Sequence, residues 1–335
     1  MPLLSATAVT TSFPTDQGLV RAVDQVDVTL DGGQVLGLVG ESGSGKSVLV
    51  RSIMGLYRND ARVERGGTVV LGGTDLTALP TRRLRELWGP EISIVFQDPM
   101  SALNPVMRIG RQITEMLRHH LGFARTAADA RAVELLASVG IPDPERRARE
   151  YPHQLSGGLR QRVAIAIALC CEPKLLIADE PTTALDVTIQ AQILRLLQDQ
   201  QRERKMAVIL VSHDFGVVAS LADEIAVMYA GHIVERGSAE RVIDQPVHPY
   251  TSALIESMPR LEVPAGHRLA AIGGRPPNLL ALAPGCPFEP RCSRPLPQCR
   301  EMRPELTLGA DDHWRACWNP VHGGELARAG QDGAE

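Results

Sequence analysis

The octapeptide GESGSGKS, Gly40–Ser47, constrains this chain more than any other feature. It has the Gly-x-x-x-x-Gly-Lys-Ser spacing of a phosphate-binding loop, in which glycines let successive backbone N–H groups turn inward around the phosphates of a nucleotide. The apolar run before it, Gln34–Gly40, has the length of a strand, and a helical pattern begins at Lys46. A strand, a glycine-rich loop and a helix whose N-terminus attracts anions together predict an α/β nucleotide-binding core.

The side chains of this loop have separate expected roles. Lys46 is expected to reach the β and γ phosphates of ATP, and Ser47 is expected to offer its hydroxyl to Mg²⁺. Backbone groups and neighbouring positions complete the predicted phosphate site, which consists of Gly40, Ser42, Gly43, Ser44, Gly45, Lys46, Ser47 and Val48.

Two carboxylates follow a second buried strand, LLIADE, which has the continuous apolar character of a parallel sheet. Asp179 is expected to hold Mg²⁺ through its water shell. Glu180 is placed to accept a proton from the water that attacks the γ-phosphate, which makes it the candidate general base. Taken alone, an Asp-Glu pair after a strand also fits an ordinary solvated loop. Beside a phosphate-binding loop, the catalytic interpretation is favoured.

The string LSGGLRQR, Leu155–Arg162, indicates one particular family of phosphate-loop proteins. The chain resembles the nucleotide-binding subunit of an ATP-binding-cassette (ABC) transporter, because this signature separates that family from other phosphate-loop ATPases. The resemblance implies a phosphate-loop (RecA-like) α/β ATPase core, an antiparallel β subdomain and a helical signature subdomain at about residues 99–159. It also implies ATP hydrolysis coupled to transport.

Further family elements occur in order along the chain. Gln97, in IVFQDP, corresponds to the glutamine that contacts Mg²⁺ and the water, and Asp186, in TTALD, to the aspartate of the dimer interface. His213, in ILVSHD, corresponds to the switch histidine at the γ-phosphate. The adenine of ATP is expected to stack on an aromatic ring upstream of the loop, and Phe13 is the only aromatic residue before Gly40.

In the family, two subunits close face to face, so that each ATP lies between one phosphate loop and the signature of the other subunit. The resemblance therefore implies that Ser156, Gly157 and Gly158 act in trans, because the helix after them directs N–H groups and a hydroxyl at the γ-phosphate of the partner. A monomer is expected to be a poor ATPase.

Composition sets limits on the remaining possibilities. The net charge of −4 argues against a nucleic-acid binder, whose surface would be basic. The longest apolar run, VAIAIALCC at Val163–Cys171, is too short to span a bilayer and predicts a buried helix with Cys170 and Cys171 as small core residues. The N-terminus has neither a basic start nor an apolar segment, so we expect a cytosolic protein that reaches a membrane only through partners.

The pattern along the chain predicts two regions: a nucleotide-binding domain at residues 1–245 and a C-terminal extension at residues 246–335. Strands and helices alternate in the βαβ rhythm of a parallel sheet. Three glycine pairs are predicted to mark strand ends, and a hairpin is predicted to turn at Ala230-Gly231; the pairs are Gly32-Gly33, Gly66-Gly67 and Gly72-Gly73.

The extension narrows the transported solute. Its HPYTSAL and PGCPFEPRC segments, followed by two further cysteines, resemble the C-terminal extension of the oligopeptide and dipeptide permease branch. That branch implies a motor for uptake of short peptides, although some relatives carry nickel or other small solutes. Implied partners are a second, related ATP-binding subunit, two transmembrane permease subunits and an extracytoplasmic solute-binding protein, with this chain on the cytoplasmic face of the inner membrane.

The extension has the cysteines Cys286, Cys292, Cys299 and Cys317. Disulfides are disfavoured in a cytosolic protein, so clustered thiols suggest a metal site. Their spacings lack the paired C-x₂-C of structural zinc, and four thiolates also suit a 4Fe–4S cluster, which is associated with relatives that have this tail. Zinc and free or redox-active thiols remain alternatives. A soluble, non-transporting cassette ATPase is the alternative function.

Overall fold

The computed structural model describes residues 1–183, 186–258, 272–309 and 312–321. The strands are β1 (Leu4–Thr15), β2 (Gly18–Leu30), β3 (Val35–Val39), β4 (Glu64–Leu71), β5 (Thr74–Asp75), β6 (Ile92–Val95), β7 (Leu175–Asp179), β8 (Ala207–Ser212), β9 (Glu224–Tyr229), β10 (His232–Ser238), β11 (Thr307–Leu308) and β12 (Trp314–Arg315). The helices are α1 (Lys46–Ile53), α2 (Thr81–Leu87), α3 (Pro99–Ala102), α4 (Ile109–Leu121), α5 (Arg125–Ser138), α6 (Pro144–Arg147), α7 (Gly157–Leu169), α8 (Val187–Arg204), α9 (Phe215–Ala219), α10 (Ala239–Asp244), α11 (Pro249–Glu256) and α12 (Gln298–Glu301).

The larger sheet has the strand order β11-β12-β10-β9-β3-β8-β7-β6. Its centre is parallel: β3 pairs with β8 and β9, and β7 pairs with β6 and β8. Every residue of β3, β7 and β8 is buried, as expected for strands covered on both faces. Because parallel strands end at one edge, the loops after β3, β7 and β8 meet there. This edge carries Lys46, Glu180 and His213.

The smaller sheet is antiparallel, with the order β2-β1-β4-β5. One predicted strand end in it is wrong: Gly66-Gly67 lies inside β4, because β1 bulges opposite it between Thr7 and Thr10. A Cβ on Gly67 would lie 2.4 Å from the Ala8 carbonyl oxygen, and its φ of +86° is left-handed. The glycine pair therefore accommodates a bulge rather than a turn. The other two pairs follow strands, and the predicted hairpin does turn at Ala230 and Gly231.

Between β6 and β7 the chain is helical, with α3 to α6 and the start of α7 covering the predicted subdomain. Buried residues recur every four positions on α4, at Ile109, Ile113 and Leu117. They pack in one core cluster with α5. The helix α7 then enters the core, and it ends beside the buried Cys170 and Cys171 as predicted.

The tail adds to the core instead of standing apart from it. The predicted boundary at residue 245 falls between α10 and α11, but β12 pairs with β10 and β11 pairs with β12. Tyr250 of α11 is fully buried against Tyr229 at the end of β9. None of the helices in the described residues is long and apolar enough to cross a membrane.

Candidate nucleotide-binding site

The loop from β3 to α1 needs glycine at two of its positions for steric reasons. Gly40 has φ +152°, and a Cβ there would lie 2.2 Å from the Met228 carbonyl oxygen. Gly45 has φ +107°, and its Cβ would lie 2.3 Å from the Ala22 carbonyl oxygen. The loop therefore packs backbone against backbone, and a side chain at either glycine would prevent this close approach.

Lys46 is the buried cation of the loop, with only 4% of its surface exposed. Its Nζ donates to the carbonyl oxygens of Gly40 at 2.7 Å and Glu41 at 2.9 Å, and it lies 3.5 Å from Ser44 Oγ. Burial lowers the pKa of Lys46, and the charges of Glu180, Asp179 and Glu41 oppose that shift. An ammonium held this way is positioned for an anion such as a phosphate.

Ser47 and Asp179 meet behind the loop. Ser47 Oγ donates to Asp179 Oδ1 at 2.7 Å, and Arg51 Nη2 lies 3.2 Å from Asp179 Oδ2. Asp179 is completely buried at the end of β7, and Arg51 is on α1. The structure therefore brings the predicted pair together. A hydroxyl and a carboxylate side by side provide oxygen ligands of the kind that Mg²⁺ prefers.

Glu180 lies at the centre of the predicted catalytic residues. Its Oε2 accepts hydrogen bonds from Gln97 Nε2 and from Thr183 Oγ1, each at 2.9 Å, and His213 Nδ1 lies 3.4 Å away. The backbone of Glu180 has φ +49°, in the left-handed region, and its N–H donates to Val211 O. Such a conformation in a non-glycine residue is often associated with a functional site. The sequence did not single out Thr183.

These groups line one cleft of about 890 Å³ at the carboxyl edge of the sheet. The predicted residues that line it are Phe13, Ser42, Gly43, Gly45, Lys46, Ser47, Val48, Gln97, Glu180 and His213. Gly40, Ser44 and Asp179 instead support the loop from behind, through the contacts described above. The cleft has an ammonium, a hydroxyl and a carboxylate, which are groups that a site for binding and cleaving a polyphosphate uses.

The predicted trans-acting residues lie outside this cleft. Ser156 is exposed at the N-terminus of α7, where its Oγ accepts from Leu159 N at 3.4 Å. Gly157 and Gly158 form the first turn of α7, and Asp186 caps α8 by accepting from Ile189 N at 2.9 Å. Within one subunit, the signature and the phosphate loop are therefore not brought together.

Comparisons with known proteins agree with this geometry. The ABC transporter family matches residues 23–183, and the family described as oligopeptide/dipeptide transporter, C-terminal region, matches residues 234–299. The oligopeptide transport ATP-binding protein OppD of Haemophilus influenzae is 47% identical over 95% of this chain and 97% of its own length. This chain belongs to the ATP-binding proteins of the ABC transporter family. It is therefore an ATPase with the ABC cassette fold.

Other relatives extend the similarity over the whole cassette and its tail. The dipeptide transport ATP-binding protein DppD of Bacillus subtilis is 47% identical over 94% of both chains, and a putative peptide import ATP-binding protein of Brucella abortus is 51% identical over 92% of both. Among solved structures, a dimeric ATP-binding cassette bound to ADP and phosphate is 27% identical, covers 70% of this chain and 98% of its own, and has a TM-score of 0.64.

The end of the cleft beside Phe13 includes residues that the sequence analysis did not identify. Phe13 is half-buried and lines the cleft, and its ring meets Tyr57 edge-on at 5.3 Å between centroids. Leu254, Pro276 and Leu279 of the tail line the same cleft. Leu254 ends the HPYTSAL segment, but neither that segment nor the residues around Pro276 and Leu279 carry a motif for a nucleotide site. Only the tertiary path of the tail brings these three residues to the loop.

The cysteines of the tail lie near one another. Burial, with smaller contributions from the neighbouring thiols of Cys286, Cys292 and Cys299, raises the pKa of Cys317 to about 12. Burial likewise raises the pKa of Cys286 to about 11. Two sulfurs accept backbone N–H bonds: Cys299 from Leu296 at 3.5 Å and Cys317 from Asn319 at 3.3 Å.

Across the residues that the structure describes, no group of three or more His, Cys, Asp and Glu side chains is arranged to hold a metal ion. His313, the histidine nearest in sequence to Cys317, contacts a carboxylate: its Nε2 lies 2.8 Å from Glu235 Oε1. The iron-sulfur assignment therefore stays a prediction from the sequence.

Proposed function

We propose that this ATPase drives the uptake of short peptides across a cytoplasmic membrane. The observation that carries the proposal is the similarity of the whole chain, tail included, to relatives named as oligopeptide and dipeptide transport proteins. The match at residues 234–299 is to the C-terminal region of that transporter class, which separates it from other ABC cassettes. The proposed organisation is a nucleotide-binding domain at 1–245 followed by a peptide-permease-type extension at 246–335.

ATP binding is assigned to the phosphate loop. The ammonium of Lys46 exchanges its carbonyl partners for the β and γ phosphates, while the N-terminus of α1 faces the same anions. Ser47 and Asp179 would hold Mg²⁺, which neutralises charge on the phosphates when bound. Phe13 stacks on the adenine. The aromatic face and the apolar tail residues suit a flat heterocycle.

Hydrolysis is assigned to Glu180. Its carboxylate accepts the proton of the attacking water, and Gln97 and Thr183 fix its Oε2 by donating to it. His213 is 59% exposed, so its ring is free to contact the γ-phosphate. A rate contribution of about 10²–10⁴ is typical for a general base.

The composite site needs a second ATP-binding subunit. Ser156, Gly157 and Gly158 form the exposed start of a 13-residue helix, and such a terminus attracts a phosphate from another chain. Asp186 lies at the start of α8, which Gly158 contacts through Ile189. ATP therefore joins the two subunits, and hydrolysis releases them. The second subunit is proposed to be a related but different chain.

The permease subunits are proposed to dock beside Gln97. A cleft of about 320 Å³ there is mainly apolar, and Phe96, Leu103 and Met116 line it between β6 and the helical subdomain. A helix from a membrane subunit in this cleft would contact the segment that carries Gln97. The chain would then work on the cytoplasmic face of the inner membrane, supplied with solute by an extracytoplasmic binding protein and without nucleic acid.

The four cysteines are proposed to hold a 4Fe–4S cluster. Their proximity and N–H···S bonds suit thiolate ligands. One metal ion bound by four thiolates requires sulfurs about 3.8 Å apart, as follows from a Zn–S bond of about 2.3 Å, whereas a cluster accepts wider spacing. Cys286, Cys292, Cys299 and Cys317 would be the ligands, and the cluster would cross-link the tail.

Cys292→Ser tests this assignment. Anaerobically purified protein is expected to lose its brown colour and bound iron, while ATP binding persists. Cys170→Ser is the matched control, because Cys170 is buried at the end of α7 and is not one of the four tail thiols, so bound iron should be unchanged. Retained iron in Cys292→Ser would show that Cys292 is no ligand, and zinc in place of iron in the unchanged chain would refute the cluster.

The solute is tested with the assembled transporter in vesicles. Together with its permease subunits and binding protein, the chain is expected to support ATP-dependent uptake of labelled di- to pentapeptides, and Glu180→Gln should abolish it. Uptake of Ni²⁺ without peptide uptake would reject peptides as the solute. ATPase activity without any membrane partner or transport would indicate a soluble cassette ATPase.

A further inference from the structure

Arg291 of the tail forms an ion pair with the phosphate loop across 250 positions of sequence. Its Nη1 lies 2.6 Å from Glu41 Oε2 and its Nη2 lies 2.9 Å from Glu41 Oε1, which is a parallel, bidentate arrangement. The Arg291 side chain is only 4% exposed and that of Glu41 is 25% exposed. This contact is more buried than an ordinary surface ion pair.

The remaining donors of Arg291 are also used. Nε donates to the Gly273 carbonyl at 2.9 Å, and Nη1 lies 3.3 Å from Tyr229 Oη. The guanidinium carbon is 5.9 Å from the Tyr229 ring centre and 6.0 Å from the Phe288 ring centre. The guanidinium is therefore fixed before a nucleotide arrives, and it is not a free cation.

Glu41 is held on every side. Its backbone N–H donates to Tyr250 Oη at 2.8 Å, its carbonyl accepts from Lys46 Nζ at 2.9 Å, and its carboxylate binds Arg291. Glu41 also lines the cleft assigned to ATP. An unpaired carboxylate there would repel the triphosphate.

We propose that Arg291 is a positioning residue for ATP binding, which fixes Glu41 in the phosphate loop and neutralises its carboxylate. The inference rests on the proposed role of the loop. It gives the tail a part in nucleotide affinity that does not depend on any group bound by the cysteines. The tail then supports the ATP site, and the contact is made from the turn Glu289–Arg291.

The test measures the affinity of the full chain for MgATP and for AMP by calorimetry. Arg291→Gln is expected to weaken ATP binding about tenfold, because one uncompensated charge then lies near the phosphates. The affinity for AMP should fall less, because AMP brings less negative charge into the loop. The double variant Arg291→Gln/Glu41→Gln should recover ATP affinity relative to Arg291→Gln alone. A purely structural role predicts no such recovery.

Arg300→Gln is the matched control, because Arg300 pairs with Glu289 on the same tail segment but is 76% exposed and away from the loop. It should bind ATP as the unchanged chain does. If Arg291→Gln fails to fold, Arg291→Met, whose apolar stem suits the two rings, takes its place in the same comparison. ATP affinity unchanged by a folded Arg291 variant, or no recovery in the double variant, would overturn the proposal.

Lys46→Ala separates this inference from the assignment of the site. It should abolish measurable ATP binding. If Lys46→Ala binds ATP normally, the assignment of the loop fails. If Lys46→Ala loses binding and the Arg291 variants do not, only the role of Arg291 fails.

Discussion

Glu180 is oriented by its neighbours. Gln97 and Thr183 donate to the same carboxylate oxygen, and His213 lies beside it. The amide of Gln97 therefore helps to set the direction of the carboxylate that we propose as the general base.

Gln97→Glu tests this contact. A carboxylate in place of the amide removes the hydrogen bond donated to Glu180 Oε2 and places a second negative charge beside that oxygen, which should turn the Glu180 side chain away. Turnover in the assembled transporter is expected to fall about tenfold, which corresponds to about 1.4 kcal/mol of barrier.

Gln97→Ala is the control, because it removes the hydrogen bond without adding a charge. Its turnover should fall less than that of Gln97→Glu. Equal turnover of the two variants would show that the added charge beside Glu180 has no effect.

At the scale of elements, the bulge between β1 and β4 depends on one glycine. Gly67 has φ +86°, and a Cβ there would lie 2.4 and 2.5 Å from two carbonyl oxygens of β1. Gly67→Ala should lower the free energy of unfolding by about 1–3 kcal/mol. Gly66→Ala is the matched control, since its Cβ would meet Thr10 at an ordinary 3.6 Å. Chemical denaturation measures the free energy of unfolding of both variants. Equal losses of stability in the two variants would contradict the requirement for glycine at position 67.

The N-terminus of α11 contains a buried histidine whose protonation opposes folding. His248 Nδ1 accepts from Tyr250 N at 3.0 Å, and burial lowers the pKa of His248 to about 4. Because the unfolded chain binds the proton first, this contribution to stability is present above about pH 6.5 and is lost as the pH falls toward 4. The full loss is about 3 kcal/mol.

His248→Asn checks this pH dependence. Asparagine retains a cap acceptor for the helix but does not titrate. The difference in unfolding free energy between pH 7 and pH 5 should shrink in this variant. An unchanged difference would show that another group controls the acid response.

Local sequence patterns predicted the strands and helices well, but they did not predict which segments pair with one another. The loop at Gly40–Ser47 and the strand before Glu180 are continuous in sequence, so spacing and apolar runs sufficed. The Gly66-Gly67 pair looked like a turn because its chemistry is that of a turn, and only the register against β1 shows a bulge. Thr183 was missed because its contribution is a single hydroxyl bond to Glu180.

At the scale of the whole molecule, the tail is part of the nucleotide site. Tyr250 and Arg291 hold Glu41, while Leu254, Pro276 and Leu279 line the cleft. These contacts join positions more than 200 residues apart, as for Tyr250 and Glu41 with a separation of 209. The sequence predicted the tail as a separate extension of the cassette, because no local sequence pattern encodes such long-range contacts.

The residues of the proposed composite site lie at two separate places on one subunit. Lys46, Glu180 and His213 share one cleft, whereas Ser156 is exposed elsewhere on the surface. A nucleotide held between two subunits accounts for both placements. Catalysis by Glu180 therefore has to be measured in the assembled transporter.

The fate of bound ATP in the assembled transporter with Glu180→Gln tests the assignment of Glu180. Glutamine keeps the shape of the side chain but cannot accept the proton. We expect about one unhydrolysed ATP to stay bound per transporter while the unchanged complex completes many turnovers, and we expect uptake to be abolished. Conversion of all bound ATP to ADP at the rate of the unchanged complex would contradict the assignment of Glu180 as the catalytic base.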